Sequence, residues 1–370
     1  MSSGPMQQSW RRARRILGGR RRIFFYEYVT GGGLLDDDFT RLQPLAVEGL
    51  AMADAVMEDL RQIPDVRPTT LLDARLAVPL TNGASNAGRR LVESSADRDC
   101  AFDDEVRRSD GVLLIAPETD GILARLAKCV EDLGGRLLSP ASEFCAWAAD
   151  KSAVAETLAL TQAVPSGLRL TAADAWPSDF PAPAVLKPND GCGSQQVLRL
   201  DDTSRDARPD RNSTWRLEQY APGEAASVLV LLGESTRSIL FAFWQNLSDD
   251  GKFEYLGGSG PLPTDKQQRV ETLIDRVFEP LPEWRGFIGF DVVLGSAADG
   301  SQDYVIEINP RLTTSYVAAR TMYHTNLMQL MLALLDGREV ELIPRIGTLR
   351  FEKDGTTDGF WIDKRSPAVL

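Results

Sequence analysis

Two apolar, β-branched runs dominate the hydropathy pattern, Gly286-Phe-Ile-Gly-Phe-Asp-Val-Val-Leu294 and Tyr304-Val-Ile-Glu-Ile-Asn-Pro-Arg311, separated by a polar turn. Bounded by Gly, Ser, Asp and Pro, they predict a hairpin of two buried strands. Period two puts Phe287, Gly289, Asp291 and Val293 on one face of the first strand. On the second it puts Glu307 and Asn309 on one face, with Ile306 and Ile308 on the other. Each strand therefore carries acid or amide in an apolar run, which is costly unless something compensates the desolvation.

Upstream, the pattern alternates between periods. Strands are predicted at Ile23–Val29, 70–73, 90–93, 111–115 and 136–139, with helices over 40–61, 100–108 and 119–132. That alternation predicts a small parallel α/β layer ending near residue 140. Beyond it a helix is expected from Ala141 to about 160, ended by Pro165. Strands follow at 184–188, 196–200, 215–220, 227–232, 238–245 and 253–257, with helices over 265–279 and 327–335. The charged, turn-rich stretch 201–213 predicts a loop. The second part is α+β, richer in antiparallel strand.

Composition narrows the classes. The chain of 370 residues is 43% hydrophobic and 25% charged, as globular proteins are. No apolar run approaches the roughly 20 residues that span a bilayer, so neither membrane partner nor anchor is expected, and a cytoplasmic location is. The formal net charge is −12, yet residues 1–22 hold seven arginines and no acid, which leaves −19 on the rest. That excludes nucleic acid as a partner of the folded body; residues 1–22 read as a basic, disordered tail. Four scattered cysteines read as reduced thiols. The single histidine, His324, sits in an apolar helical stretch and rules out a histidine-cluster metal site.

The candidate chemistry gathers in the second part. Asp291, Glu307 and Asn309 fit either an edge hairpin with its acids in solvent or a hard-cation site, since Mg²⁺ takes one or two carboxylates and completes its shell with water and phosphate oxygens. Lys187 ends the strand Ala184-Val-Leu-Lys-Pro188, and a buried lysine needs an anion. The adjoining Asp190-Gly-Cys-Gly-Ser194 can lay backbone N–H groups on phosphate, although it is not a Walker A loop. Lys151 offers a second cation. Leu217-Glu-Gln-Tyr-Ala-Pro-Gly-Glu224 reads as a hinge able to face a purine and ribose. Gly31-Gly-Gly33 after the first strand lacks Gly-x-Gly-x-x-Gly spacing and is expected as a tight loop near a ligand.

Taken in order, the lysine, the Lys-Pro with its glycine loop, Glu-Gln-Tyr-x-x-Gly-Glu, Gly-Phe-x-Gly-Phe-Asp and Glu-Ile-Asn-Pro-Arg resemble the ATP-grasp superfamily over about residues 140–335. The resemblance implies a small parallel α/β pre-ATP-grasp domain (23–140) followed by a two-lobed α+β core, with lobes 141–220 and 221–345 and an extension 346–370. It implies ATP contacts from Lys151, Lys187, Asp190, Gly191, Gly193, Ser194, Glu218, Gln219 and Tyr220, with Glu224 on ribose. Asp291, Glu307 and Asn309 would hold two Mg²⁺ ions, or Mn²⁺, with Glu307 bridging; Arg311 would stabilise the phosphoryl group or acyl phosphate.

The stretch Phe24-Phe-Tyr-Glu-Tyr-Val-Thr-Gly-Gly-Gly33 and Asn309-Pro-Arg-Leu-Thr-Thr-Ser-Tyr316 look similar to the tyramine–L-glutamate ligases of methanofuran biosynthesis. The implied reaction joins small-molecule carboxylate and amine with release of ADP. It needs positioning and charge neutralisation rather than a protein nucleophile. Glu27 would offer an anion to the ammonium, Gly31, Gly32 and Gly33 would face the core, and Arg311 and Ser315 would hold a carboxylate. Tyr26, Tyr28 and Tyr316 would supply aromatic surface, or else be ordinary core residues. A peptide or cofactor ligase and a non-catalytic nucleotide sensor are the alternatives, and a homodimer is compatible with each.

Overall fold

The computed structural model describes residues 19–77, 87–191 and 196–362; most of the basic N-terminal run, and Cys192, Gly193 and Ser194 of the glycine loop, lie outside the described residues. Three sheets organise it. In the first, β1 (Arg21–Glu27), β2 (Val66–Asp73), β3 (Arg89–Val92) and β4 (Gly111–Ile115) run parallel in the order β3-β2-β1-β4. Helices α1 (Phe39–Arg61), α2 (Ser95–Arg108) and α3 (Ile122–Asp132) accompany it. Helix α1 begins where the Asp38 carboxylate accepts the Thr40 N–H, a cap worth about 1 kcal/mol. It buries Leu42, Ala46, Val56, Met57 and Leu60 at helical spacing. Strand β1 starts inside the expected basic tail: Arg21 reaches Asp336 at 2.8 Å and Arg22 reaches Glu105 at 3.2 Å. The expected strand at 136–139 is reduced to one bridge between Val112 and Leu137.

The predicted helix at 141–160 is two helices, α4 (Ser142–Ala149) and α5 (Lys151–Leu158). The break falls at Asp150, whose extended backbone leaves its carboxylate free to cap α5 through Ser152 N–H and Ala153 N–H. Then β5 (Gly167–Leu170), β6 (Ala184–Pro188), β7 (Leu198–Leu200) and β8 (Trp215–Gln219) form an antiparallel sheet in the order β5-β8-β6-β7. Its core is small: Leu170, Ala184, Leu186, Trp215 and Leu217.

The third sheet has eight strands: β9 (Glu224–Leu232), β10 (Arg237–Ile239), β11 (Phe243–Leu247), β12 (Tyr255–Gly260), β13 (Gly286–Leu294), β14 (Tyr304–Asn309), β15 (Ile346–Glu352) and β16 (Thr357–Ile362). They run in the order β14-β13-β9-β11-β12-β15-β16, with β10 beside β9. Helices α6 (Thr264–Phe278), α7 (Ser315–Ala319) and α8 (Leu327–Leu334) pack on it. The segment set apart in the sequence as a C-terminal extension thus supplies the sheet's far edge, with β15 pairing β12.

Alternation along β9 sets the two faces. Ala226, Val228 and Val230 pack with Val270, Leu273 and Ile274 of α6. Leu229 and Leu231 share a second core with Leu327 and Met331 of α8, Val56 and Met57 of α1, and Ile23 of β1. One continuous core therefore joins the first sheet's helix to the third sheet. His324 sits in an exposed bend before α8, not in a helix, and its backbone N–H donates to Ile343 C=O at 2.8 Å. Among the described residues, no helix is long and apolar enough to cross a membrane.

Candidate functional site

Strands β13 and β14 pair antiparallel as expected, with Gly289 opposite Asn309 and Asp291 opposite Glu307. A register shift between Asp291 and Val292 twists the pair here. A cavity of about 770 Å³ opens over this face, between the second and third sheets. Asp291, Glu307 and Asn309 all line it, so the chain brings its two hairpin carboxylates and the amide together.

Asp291 accepts from Gln245 Nε2 at 2.9 Å and from Asn309 Nδ2 at 3.0 Å. Burial, then the neighbouring Glu307 carboxylate, pushes its pKa up to about 6. A cation beside the pair would relieve both effects. Glu307 meets Lys151 Nζ at 3.0 Å. Among the described residues no group of three or more His, Cys, Asp and Glu is assembled. The donor set of two carboxylates and an amide fits a cation that completes its shell with water and phosphate, as Mg²⁺ does.

Opposite the hairpin, β6 delivers Lys187. Its ammonium is 2.5 Å from Glu218 Oε1 and donates to Ile306 C=O at 3.1 Å. Glu218 also holds Arg216 at 2.7 Å, so this buried carboxylate is shared by two cations. Lys151 opens α5, and its position is built by Asn189. The Asn189 backbone carbonyl accepts Lys151 N–H at 2.9 Å, while its side chain joins Asp150 (2.8 Å) and Ser152 Oγ (2.6 Å). Lys151 Nζ also donates to the Gly191 carbonyl. Gly191, Gln219 and Tyr220 line the cavity, whereas Asp190 is exposed and outside its lining. The Tyr220 ring stacks on Phe253 (6.2 Å between centroids), with Arg199 on the ring at 4.6 Å.

Several expected contacts are not made. Glu224 shares strand parity with Ala226 and Val228, so it faces α6; exposed, it pairs with Lys266 at 2.9 Å, outside the cavity lining. Gly31, Gly32 and Gly33 do not line the cavity either. They form a π-helical turn in which Gly33 N–H donates to Tyr28 C=O, and a Cβ at Gly31 or Gly33 would strike the Tyr26 or Tyr28 ring at 2.5 Å. Glu27 is buried and outside the cavity lining, and its carboxylate accepts Val29 N–H, Thr30 N–H and Thr30 Oγ. Tyr26 and Tyr316 are fully packed; the Tyr316 hydroxyl donates to Asp59.

Arg311 and Ser315 do line the cavity. Arg311 Nε and Nη2 clasp both oxygens of buried Glu118, at 2.9 and 3.1 Å. Thr314 Oγ1 donates to Glu48 of α1, which also lines the cavity. Gly289 matters here because a Cβ would meet Thr313 Cγ2 at 2.5 Å. Glu48 and Glu118 are site residues that sequence reasoning missed. They lie in the first α/β part, 266 and 193 residues from their respective partners Thr314 and Arg311, with no local motif to mark them.

Three sheets, with a lysine-bearing one facing a carboxylate-bearing hairpin across one cavity, make a two-lobed core behind a parallel α/β domain. Residues 148–315 match the ATP-grasp domain family and residues 66–143 the pre ATP-grasp 3 domain family, so the chain carries a pre-ATP-grasp domain followed by an ATP-grasp domain. It is 24% identical over 233 residues to a protein named tyramine–L-glutamate ligase of Methanocaldococcus jannaschii, the match covering 63% of this chain and 65% of that protein. Among solved structures, it superposes with a TM-score of 0.65 and 26% identity on an Archaeoglobus fulgidus protein described as belonging to the ATP-grasp superfamily, covering 89% of this chain and 92% of that one. An L-amino acid ligase from Bacillus licheniformis shares the fold, with a TM-score of 0.61 at 18% identity over 90% of this chain and 79% of the other.

Proposed function

We propose that this protein is an ADP-forming carboxylate–amine ligase. ATP phosphorylates a substrate carboxylate with release of ADP, a neutral amine attacks the acyl carbon, the carbon–oxygen bond to phosphate breaks as the nitrogen's proton passes to the departing phosphate, and amide and phosphate leave. The observation that carries the reading is the opposition of Lys151 and Lys187 to Asp291, Glu307 and Asn309 across one cavity.

Phosphoryl transfer asks a protein to position charge and neutralise it as it develops. Lys187, held by Glu218 and the Ile306 carbonyl, presents a fixed ammonium to phosphate oxygens. Lys151 exchanges its contact with Glu307 for phosphate when nucleotide enters. Asp291, Glu307 and Asn309 would hold Mg²⁺, which when bound neutralises the phosphate charge. Gln245 and Asn309 orient Asp291 by donating to its two oxygens. Gln219 and Tyr220 face the purine, and Arg311, fixed by Glu118, sits where the acyl phosphate forms.

For substrates, L-glutamate as the activated carboxylate and an aromatic amine such as tyramine are the finer reading, supported by the name of the Methanocaldococcus relative. The test is phosphate and ADP release across a panel of carboxylates crossed with amines. Release that requires both partners, strongest with glutamate and tyramine, is expected. Release with another pair would keep the ligase and discard these substrates; no amine-dependent release from any pair would discard the ligase.

A further inference from the structure

At the end of the cavity nearest α1, a group of residues lies beyond those assigned to nucleotide, cation or carboxylate. Glu48 of α1 lines the wall there. Helix α1 reaches this point because Gly49 lets it close on β1: a Cβ at Gly49 would meet Glu27 Oε2 at 2.7 Å. The Glu48 carboxylate, half-buried, accepts a hydrogen bond from Thr314 Oγ1, on the loop that follows Arg311.

Tyr255, at the start of β12, is half-buried and lines the same cavity. Phe243 and Phe351 form its floor, packed edge to face at 5.6 Å. Strand β12 makes room for these rings by having no side chains to oppose them. A Cβ at Gly258 would strike the Phe351 ring at 2.5 Å, and one at Gly260 would meet Phe243 at 2.8 Å. The run Gly257-Gly-Ser-Gly260 thus becomes the backing of an aromatic surface.

The electrostatics of this corner select a cation. Burial first, then the carboxylates of Glu48, Asp291 and Glu352, push the Tyr255 phenol up, so it stays neutral across the physiological range. Lys353 also lines the cavity. An anionic group would be repelled here. A carboxylate that shares a cavity wall with aromatic rings is instead a site for an organic ammonium, which can gain a charge-assisted hydrogen bond from the one and a cation–π contact from the other.

We infer that this corner is the amine subsite: Glu48 binds the ammonium of an arylalkylamine, and Tyr255, with Phe243 and Phe351 beneath, receives its aromatic body. The inference rests on the ligase reading above and adds the residues that choose the amine. It places recognition of the amine in α1, so the first α/β part of the chain contributes specificity.

The test separates amine recognition from carboxylate activation. Hydroxylamine, small and largely uncharged at neutral pH, traps an acyl phosphate as a hydroxamate without needing an ammonium site. Wild-type enzyme and the Glu48→Gln and Tyr255→Leu variants are given ATP, Mg²⁺ and the activated carboxylate, with either hydroxylamine or phenethylamine. Binding of phenethylammonium to each protein is also measured by calorimetry. In Glu48→Gln the phenethylamine KM should rise about 30-fold or more, as expected for loss of a desolvated charge partner. The ratio of amide to hydroxamate should fall to match, and calorimetric binding should vanish. In Tyr255→Leu the preference for phenethylamine over butylamine should drop about 5-fold. Unchanged amine KM, product ratio and binding in Glu48→Gln would overturn the inference even with the ligase intact. Wild-type enzyme that yields neither amide nor hydroxamate would remove the ligase reading, and this inference with it.

Discussion

Glu118 and Arg311, 193 residues apart in the chain, form a two-toothed ion pair at 2.9 and 3.1 Å at the edge of the cavity. Glu118 is 3% exposed, so its charge is held by Arg311 rather than by water. The pair ties the first α/β part to the loop after the hairpin and fixes the guanidinium in place. Glu118→Gln removes the buried carboxylate that holds the partly exposed Arg311 guanidinium, an effect of about 3 kcal/mol at most. We expect a lowered unfolding midpoint and a kcat reduced far more than the KM for ATP is raised. Steady-state kinetics together with denaturant unfolding check this. A variant with wild-type kcat and midpoint would make the pair incidental.

Lys187 is shared between Glu218 and the Ile306 carbonyl, so its loss has a structural part and a functional part. Lys187→Met leaves Glu218 with Arg216 alone, while Lys187→Met combined with Glu218→Gln removes both charges of the pair. The single variant keeps the buried Glu218–Arg216 pair balanced, whereas the double leaves buried Arg216 without its carboxylate, so the double variant should be the less stable of the two. Neither should keep the thermal stabilisation conferred by ATP, because the phosphate-facing ammonium is gone from both. Full ATP stabilisation in the double variant would return Lys187 to a purely structural role.

What the sequence made legible was local. The alternation in 286–294 and 304–309 specifies both the hairpin and the face that carries Asp291, Glu307 and Asn309, because strand parity is a property of the chain itself. Lys187 follows from the same logic. Glu224 shows the limit: motif spacing pointed it at a ribose, but its parity within β9 turns it to α6, and that parity was readable once the strand was extended back from Ser227 to Glu224. Glu27 and the glycine turn failed for a different reason. Their groups satisfy one another within the turn, which is invisible until the backbone path is known. Glu48 and Glu118 depend on how the first sheet docks on the third, a long-range relationship with no local signature.

Glu224 offers a test of that parity argument. Since its carboxylate is exposed beside Lys266 on the α6 side, Glu224→Ala should leave the KM for ATP within about two-fold and stability within about 0.5 kcal/mol, as for other surface ion pairs. ATP titrations of the variant decide it. A large rise in the KM for ATP would mean that the hinge before β9 turns Glu224 toward the nucleotide during turnover.

Glu307 contacts Lys151 at 3.0 Å and faces Asp291 across the hairpin. Glu307→Gln removes one of the two carboxylates offered to a divalent cation, which is worth several kcal/mol of charge stabilisation in phosphoryl transfer. Turnover should fall by at least 10³-fold, while ATP still binds weakly through Lys151 and Lys187. Mg²⁺-dependent turnover near the wild-type rate would remove Glu307 from the cation site.

Asp291 carries a pH signature. Its pKa is about 6 in the folded protein against 3.8 for the ordinary side chain, raised first by burial and then by Glu307. Because the folded value is the higher one, its stabilising contribution is complete below pH 3.8 and is lost as pH rises through about 6. Two pKa units correspond to about 3 kcal/mol, an upper limit for a group of this exposure. In EDTA, stability should therefore decline between about pH 4 and 7 and level off above that, and the decline should be shallower in Asp291→Asn. The amide cannot accept from both Gln245 and Asn309, so the variant should also be less stable than wild type near pH 4, where the neutral acid suffices. Mg²⁺ added at pH 8 should stabilise wild type and leave the variant nearly unmoved, since a bound cation favours the ionised carboxylate. Denaturant unfolding at pH 4, 6 and 8, with EDTA or Mg²⁺, reads each of these. Parallel pH profiles for the two proteins in EDTA would show that Asp291 is already ionised at low cost without a cation.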